Sequence, residues 1–335
     1  MLKPLTIAAV LAVASLPLAT AAQQPRAGAP AIDRNILHVQ VILDKLGFGP
    51  GVIDGKGGES LKAALRGFQE SRGLPRTGNP DAATLRALNA YRSVRPTVTL
   101  ELNKRVLAGP YVNPLPKDYA EQAKLPTLAY RTPLEKLAEM FHTTPAALVA
   151  LNPRDTRLRP GSKVVFPNAL PSSRAYDAKL PEKFRATLNS LNVDARQPAG
   201  AKIVVDKSDG VLRVFDKAGK LVAQFSATMG SSTDPLPLGS WKVLGPAYNP
   251  EWKMNPKILK RVDDSKAVQI VPPGPNNPVG VVWIDLSKEH YGIHGTSEPQ
   301  QIGRAESNGC IRLTNWDAAR LALMVKAGTL AVFQA

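Results

Sequence analysis

The sequence predicts a multidomain α+β protein: an N-terminal three-helix bundle, a small central module of two helices and a strand, and a C-terminal, mostly-β domain. Three observations carry this reading. Residues 35–88 repeat apolar side chains at spacings of three and four. Beyond residue 201 the pattern changes to short β-rich runs cut by turn residues. The 335 residues, at ~150 per average domain, leave room for two or three compact units.

In the first helix Ile36, Val39, Leu43 and Leu46 form the apolar stripe; in the second, Leu61, Ala64, Leu65 and Phe68 do. Between them, 47–55 is a glycine-rich connector that permits a tight reversal. A third helix is expected over 81–88, after Thr77-Gly78-Asn79-Pro80. About 55 residues make a bundle that would be marginal alone. The proline-containing stretch 91–127 has no sustained period and reads as a linker or a partly ordered strand region. In the central module Thr132 caps a helix with Pro133 at its first position, Thr144-Pro145 starts another, and 158–167 reads as turn and strand.

The last part begins with strands around Ile203-Val204-Val205, Leu212-Arg213-Val214-Phe215 and 221–225. Asp209-Gly210 and Lys217-Ala218-Gly219-Lys220 separate them as hairpin turns. Further strands are expected at 239–244, 268–271, 281–286, 292–295 and 330–333. One helix is expected here, capped by Thr314 with Asp317 at its third position and closed by Gly328. The chain thus divides into a leader over 1–22, a helical domain over 33–90, a linker over 91–127, a central module over 128–168, a connector over 169–200 and the β domain over 201–335.

Met1-Leu2-Lys3, the apolar run 5–18 and Ala19-Thr20-Ala21 have the positive start, apolar middle and small-residue end of a secretory signal peptide, cut after Ala21 or Ala22. The apolar run is too short to span a bilayer, and no later stretch reaches the ~18–20 apolar residues of a membrane helix. Hydrophobic residues are 44% and charged residues 21% of a chain with net charge +16, the basic excess lying mostly in residues 1–200. Export turns that charge toward anionic envelope material and away from nucleic acid.

One cysteine, Cys310, excludes an internal disulfide framework. It reads either as a small buried hydrophobe or as a nucleophile. His294 stands sixteen positions earlier, close enough to accept the thiol proton if the loop between them folds back. Gly309 permits a tight turn before the thiol, and N–H groups around Gly309 and Cys310 could make an oxyanion hole. As base, His294 needs its second nitrogen held by an acceptor such as the carbonyl of Gly295. His290 is a rival base; on one strand it would stand ~13 Å from His294, at ~3.3 Å per residue, so only one of them reaches the thiol. A helical zinc pair of His290 and His294 is disfavoured by Tyr291-Gly292-Ile293 and by the lack of further ligands nearby.

The pattern LDKLGFGPGVIDG, ALRGFQESRGLP and TGNPDAATLRAL resembles the peptidoglycan-binding type 1 domain. LEKLAEMFHTTPAALVALNP with LRPGSKVVFPN resembles a LysM glycan-binding module, which implies a βααβ fold. His294-Gly295-Thr296, followed by Ser307-Asn308-Gly309-Cys310-Ile311-Arg312, resembles the L,D-transpeptidase (YkuD) catalytic domain, as do the segments 229–231, 234–241 and 274–280. The family usually has a second histidine two positions before the cysteine, where this chain has Asn308, which cannot titrate. That bears on rate and substrate positioning more than on whether catalysis occurs.

The resemblance implies a periplasmic, cell-wall-associated enzyme in which Cys310 attacks a tetrapeptide stem, releases D-Ala and forms a thioester, with His294 as base and no metal or organic cofactor. Arg312 is then the candidate to hold a substrate carboxylate, with Ser307, Asn308 and Thr296 beside it. The implied partners are peptidoglycan glycan strands and stem peptides, with an envelope protein as an alternative acyl acceptor. A hydrolase of the same fold and a non-catalytic wall-binding scaffold are the rival readings.

Overall fold

The computed structural model describes residues 32–232, 234–256, 267–304 and 309–335. The expected signal peptide lies outside the described residues. The N-terminal domain holds α1 (Arg34–Lys45), the short strand β1 (Phe48–Gly49), α2 (Glu59–Ser71) and α3 (Ala82–Leu88). Asp33 and Asp81 accept hydrogen bonds from the first free N–H groups of α1 and α3, which fixes where those helices start. Phe48, Leu61, Leu65 and Phe68 close its core. The apolar residues of α1 lie on two faces: Ile42 and Leu43 point into this core, while Leu37 and Val41 meet Ile53 and Ala169. The expected single stripe is therefore only half of what α1 buries, because a second module packs on its other side.

That module contains β2 (Thr97–Glu101), α4 (Lys104–Leu107), α5 (Tyr119–Gln122), α6 (Pro133–Met140), α7 (Pro145–Ala150) and β3 (Lys163–Pro167). β2 and β3 pair antiparallel, Thr97 opposite Pro167 through to Glu101 opposite Lys163. Phe141 stacks on Phe166 at 4.0 Å between ring centroids, above Leu102, Leu137 and Leu148. The stretch 91–127, expected as a linker or a partly ordered strand region, supplies the first strand of the central module and two short helices. The expected connector over 169–200 is corrected, since α8 (Glu182–Ser190) buries Phe184 and Leu188 in the core of the last domain.

The C-terminal domain consists of β4 (Lys202–Asp206), β5 (Val211–Phe215), β6 (Leu221–Ser226), β7 (Thr228–Met229), β8 (Gly239–Tyr248), β9 (Trp252–Met254), β10 (Gln269–Val271), β11 (Val282–Leu286), β12 (Gly292–His294), β13 (Ile311–Arg312), α9 (Asn315–Met324) and β14 (Leu330–Gln334). β9 and β10 form a separate pair; the other strands join β1 in one sheet of order β1-β6-β5-β4-β14-β8-β11-β12-β13-β7. α9 starts at Thr314, whose hydroxyl accepts from the Asp317 N–H. It ends at Met324 rather than at Gly328, which lies in the left-handed region in the turn before β14. Trp316, Leu321 and Ile293 are among the fully buried side chains between α9 and the sheet.

Two sets of contacts bind the modules together. β1 extends the sheet by running parallel to β6, with Phe48 opposite Gln224 and Gly49 opposite Phe225, and the Gln224 side-chain amide donates to the Ala63 carbonyl at 2.6 Å. Where all three modules meet, Arg320 of α9 reaches both carboxylate oxygens of Asp44 in α1 at 3.0 and 3.1 Å. His142, just after α6, places Nδ1 against the same carboxylate at 3.1 Å, Nε2 against the Leu191 carbonyl at 2.7 Å and its ring on Trp316 at 4.9 Å. Burial opposes the charge on Asp44, but Arg320 and His142 overrule it and hold its carboxyl well below the usual carboxylate range. No helix among the described residues is long and apolar enough to cross a membrane.

Candidate active site

β12 and β13 are parallel neighbours, with Ile293 opposite Ile311 and His294 opposite Arg312. Residues 294 and 312, eighteen apart in sequence, are thereby set side by side on neighbouring strands. Ile293 and Ile311 enter the core. Alternation turns the flanking residues to the other face, so Cys310, Arg312 and His294 share it. β7 adds Thr228 opposite Arg312, and β11 adds Trp283 opposite His294.

His294 is buried, with its ring stacked on Trp283 at 5.4 Å and 14°. Its Nδ1 lies 2.7 Å from the Gly295 carbonyl. That carbonyl can only accept, so the proton sits on Nδ1 and the lone pair is left on Nε2. Burial, and then the nearby Arg312 guanidinium, lower the His294 pKa to about 3, so the ring is neutral in ordinary buffers. Burial raises the Cys310 thiol above its ordinary value, against a backbone hydrogen bond from Gly292 and the pull of Arg312. Both groups are therefore neutral at rest.

Two glycines are dictated by this geometry. Gly309 has φ +89°, and a Cβ there would stand 2.7 Å from the Tyr291 ring. At Gly295 a Cβ would stand 2.1 Å from Asn315 Oδ1, which accepts from the Val281 N–H at 3.1 Å. Asn315 in turn donates to the buried Glu139 of α6 at 2.8 Å, and Tyr130 hydrogen-bonds the same carboxyl. A chain of contacts thus runs from the central module to the residue that orients His294. Sequence reasoning missed Asn315 and Glu139, which carry no motif and lie 176 positions apart.

Thr296 is buried, accepts from the Glu298 N–H at 3.2 Å and, with Thr228 and Arg312, lines a groove of about 620 Å³. Ser307 and Asn308 lie outside the described residues. His290, the rival base, occupies a left-handed turn position before β12; its ring faces Glu289 at 3.4 Å, and its main-chain carbonyl lies 3.8 Å from the Cys310 sulfur. Trp241 donates to the Pro237 carbonyl and Trp252 meets Tyr119 edge-on, which makes them structural.

A β domain that presents one thiol and one neutral imidazole on a shared face, with helical modules packed against its sheet, has a definite kinship. Residues 200–333 match the family model of the YkuD "L,D-transpeptidase catalytic domain", and residues 33–88 match that of a "Putative peptidoglycan binding domain". The C-terminal domain thus matches the YkuD family, and the N-terminal bundle matches the peptidoglycan-binding type 1 domain. Over 57 residues the chain is 54% identical to "Putative L,D-transpeptidase YkuD" of Bacillus licheniformis, a stretch covering 17% of this chain and 34% of that protein. The chain thus spans about a third of that relative's length. Over 127 residues it is 32% identical to "Putative L,D-transpeptidase in ATP synthase subunits region ORF 5" of Fuscovulum blasticum, covering 38% of this chain and 66% of that one. It is also similar to the solved L,D-transpeptidase from Mycobacterium smegmatis, at 23% identity, with 41% of this chain and 59% of that chain covered and a TM-score of 0.33.

Proposed function

We propose that this protein is an exported, periplasmic cysteine L,D-transpeptidase that remodels peptidoglycan. The observation that supports the reading is the pairing of β12 with β13, which sets His294 opposite Arg312, two positions along from Cys310, with the His294 Nδ1 tied to the Gly295 carbonyl. In this reading the Cys310 thiol passes its proton to His294 Nε2 as the sulfur attacks the carbonyl that follows the L-centre of diaminopimelate in a tetrapeptide stem. N–H groups around Gly309 and Cys310 stabilise the oxyanion. The transient imidazolium protonates the leaving amine of D-Ala, and a thioester remains. An acceptor amine, from a second stem or an envelope protein, then attacks the thioester; its proton passes through His294 back to the thiolate. The two half-reactions balance without a metal or redox cofactor.

Arg312 is assigned to a substrate carboxylate, and Thr296, Ser307 and Asn308 to positioning the stem. The peptidoglycan-binding domain and a LysM-like central module hold the enzyme on glycan strands, and the signal peptide delivers it there. The test is to incubate the mature protein and its Cys310→Ala form with tetrapeptide-rich muropeptides and follow products and protein mass. Cys310-dependent loss of D-Ala with new dimers is expected. Tripeptides without dimers would assign the resolving step to water, and no adduct or product from the folded protein would reject the reading.

A further inference from the structure

The groove beside Arg312 has two walls, and only one belongs to the catalytic domain. Thr228, Thr296 and Arg312 form that wall; the opposite wall comes from residues 113–122 together with Arg131. Its volume of about 620 Å³ lies within the ~300–1,000 Å³ usual for ligand pockets. The far wall is fixed rather than loose. Leu115, Tyr119 and Leu125 pack on Trp252, Met254 and Val271. The main chain of Leu128 exchanges hydrogen bonds with Pro273 and Asn276 at 3.0 Å, and the Asn276 side chain donates to the Ala129 carbonyl at 2.9 Å. Charge is uneven across the groove: Lys117, Arg131 and Arg312 line it against the single carboxylate of Glu298. Arg131 spends part of its charge on Glu135, at 2.7 Å, but like Lys117 it remains exposed.

We infer that residues 113–131 are part of the substrate site, and that Lys117 and Arg131 bind a carboxylate of the stem peptide whose acyl group lies at Cys310. The inference rests on the proposed reaction for its ligand. It makes the central module half of the binding cleft, in addition to any hold it has on glycan.

The test measures binding and so does not depend on turnover. Full-length protein carrying Cys310→Ala is titrated calorimetrically with a synthetic tetrapeptide stem, once with free side-chain and terminal carboxylates and once with all of them amidated. Tighter binding of the free acid by about tenfold is expected, the scale of hydrogen bonds to charged groups. Adding Lys117→Glu and Arg131→Gln should cut that ratio severalfold, with Arg312 keeping its share, while leaving affinity for the amidated stem unchanged. An unchanged ratio, equal weakening of both stems, or no discrimination by the parent would overturn the inference. Failure of the proposed reaction reads out separately, as absence of a Cys310 thioester in protein that retains its cysteine.

Discussion

Glu139 offers the sharpest test of how the modules are joined. Its carboxyl is buried where α6 meets α9, accepts from Asn315 at 2.8 Å and is hydrogen-bonded by Tyr130. Burial raises its pKa from 4.5 to about 7, so the folded state binds the proton more tightly than the unfolded chain does. For an acid shifted upward, the stabilising contribution is complete below pH 4.5, falls as pH rises toward 7 and is flat above it. At about 1.36 kcal/mol per unit, the shift corresponds to a loss of roughly 3 kcal/mol across that window. The perturbation is Glu139→Gln, which keeps the shape and a polar partner for Asn315 but removes the titration. Asp317, raised to about 6 by burial, contributes a similar fall between its ordinary value and pH 6, but it does so in both proteins and cancels in the difference. The assay is urea unfolding of each protein at half-unit steps from pH 4 to 8.5. The variant should gain on the parent by roughly 3 kcal/mol between the ends of the series. Curves that stay parallel to within about 0.5 kcal/mol would show that Glu139 is not held protonated, and the argument from burial would fail.

Other expectations follow from the same geometry. Arg320→Met should destabilise the protein by about 3–5 kcal/mol, because it leaves the buried Asp44 carboxylate without its main partner; chemical denaturation measures it, and a loss under about 1 kcal/mol would mean that water or His142 compensates. Because Cys310 is raised and His294 is neutral at working pH, the rate of Cys310 alkylation by iodoacetamide should climb steadily from pH 6 to 8 without a plateau. A plateau in that range would reveal a preformed thiolate–imidazolium pair. Arg312→Gln should slow alkylation at each pH, since Arg312 favours the thiolate.

Much of this architecture was readable where a signal is local. Helix starts at Asp81, Thr132, Thr144 and Thr314 follow from a capping side chain and the residues after it. The strands near 203, 212 and 221 follow from β-rich runs bounded by turns. What could not be read depends on distant partners. β2 is β-rich, but its place in the central module depends on β3, more than sixty residues later, which pairs with it. α8 carries only Phe184 and Leu188 as buried apolar residues inside a proline- and serine-rich surround. Asp44 reads as an ordinary polar position on α1 until Arg320 is laid against it. A buried polar group announces itself only through the partner that neutralises it, and here each partner belongs to another module.

The pairing of β1 with β6 also bears on which pieces of this protein can exist apart. β6 carries Leu221, Ala223 and Phe225 inward, and its outer backbone edge is occupied by two residues borrowed from the N-terminal bundle. Cut the chain near residue 200 and that edge becomes a bare row of donors and acceptors on an apolar strand, a template for another copy. The bundle thus covers an edge that would otherwise invite self-association. A relative that carries the catalytic domain without it would need its own safeguard along β6: a charge turned inward, a proline, or a loop laid across the strand.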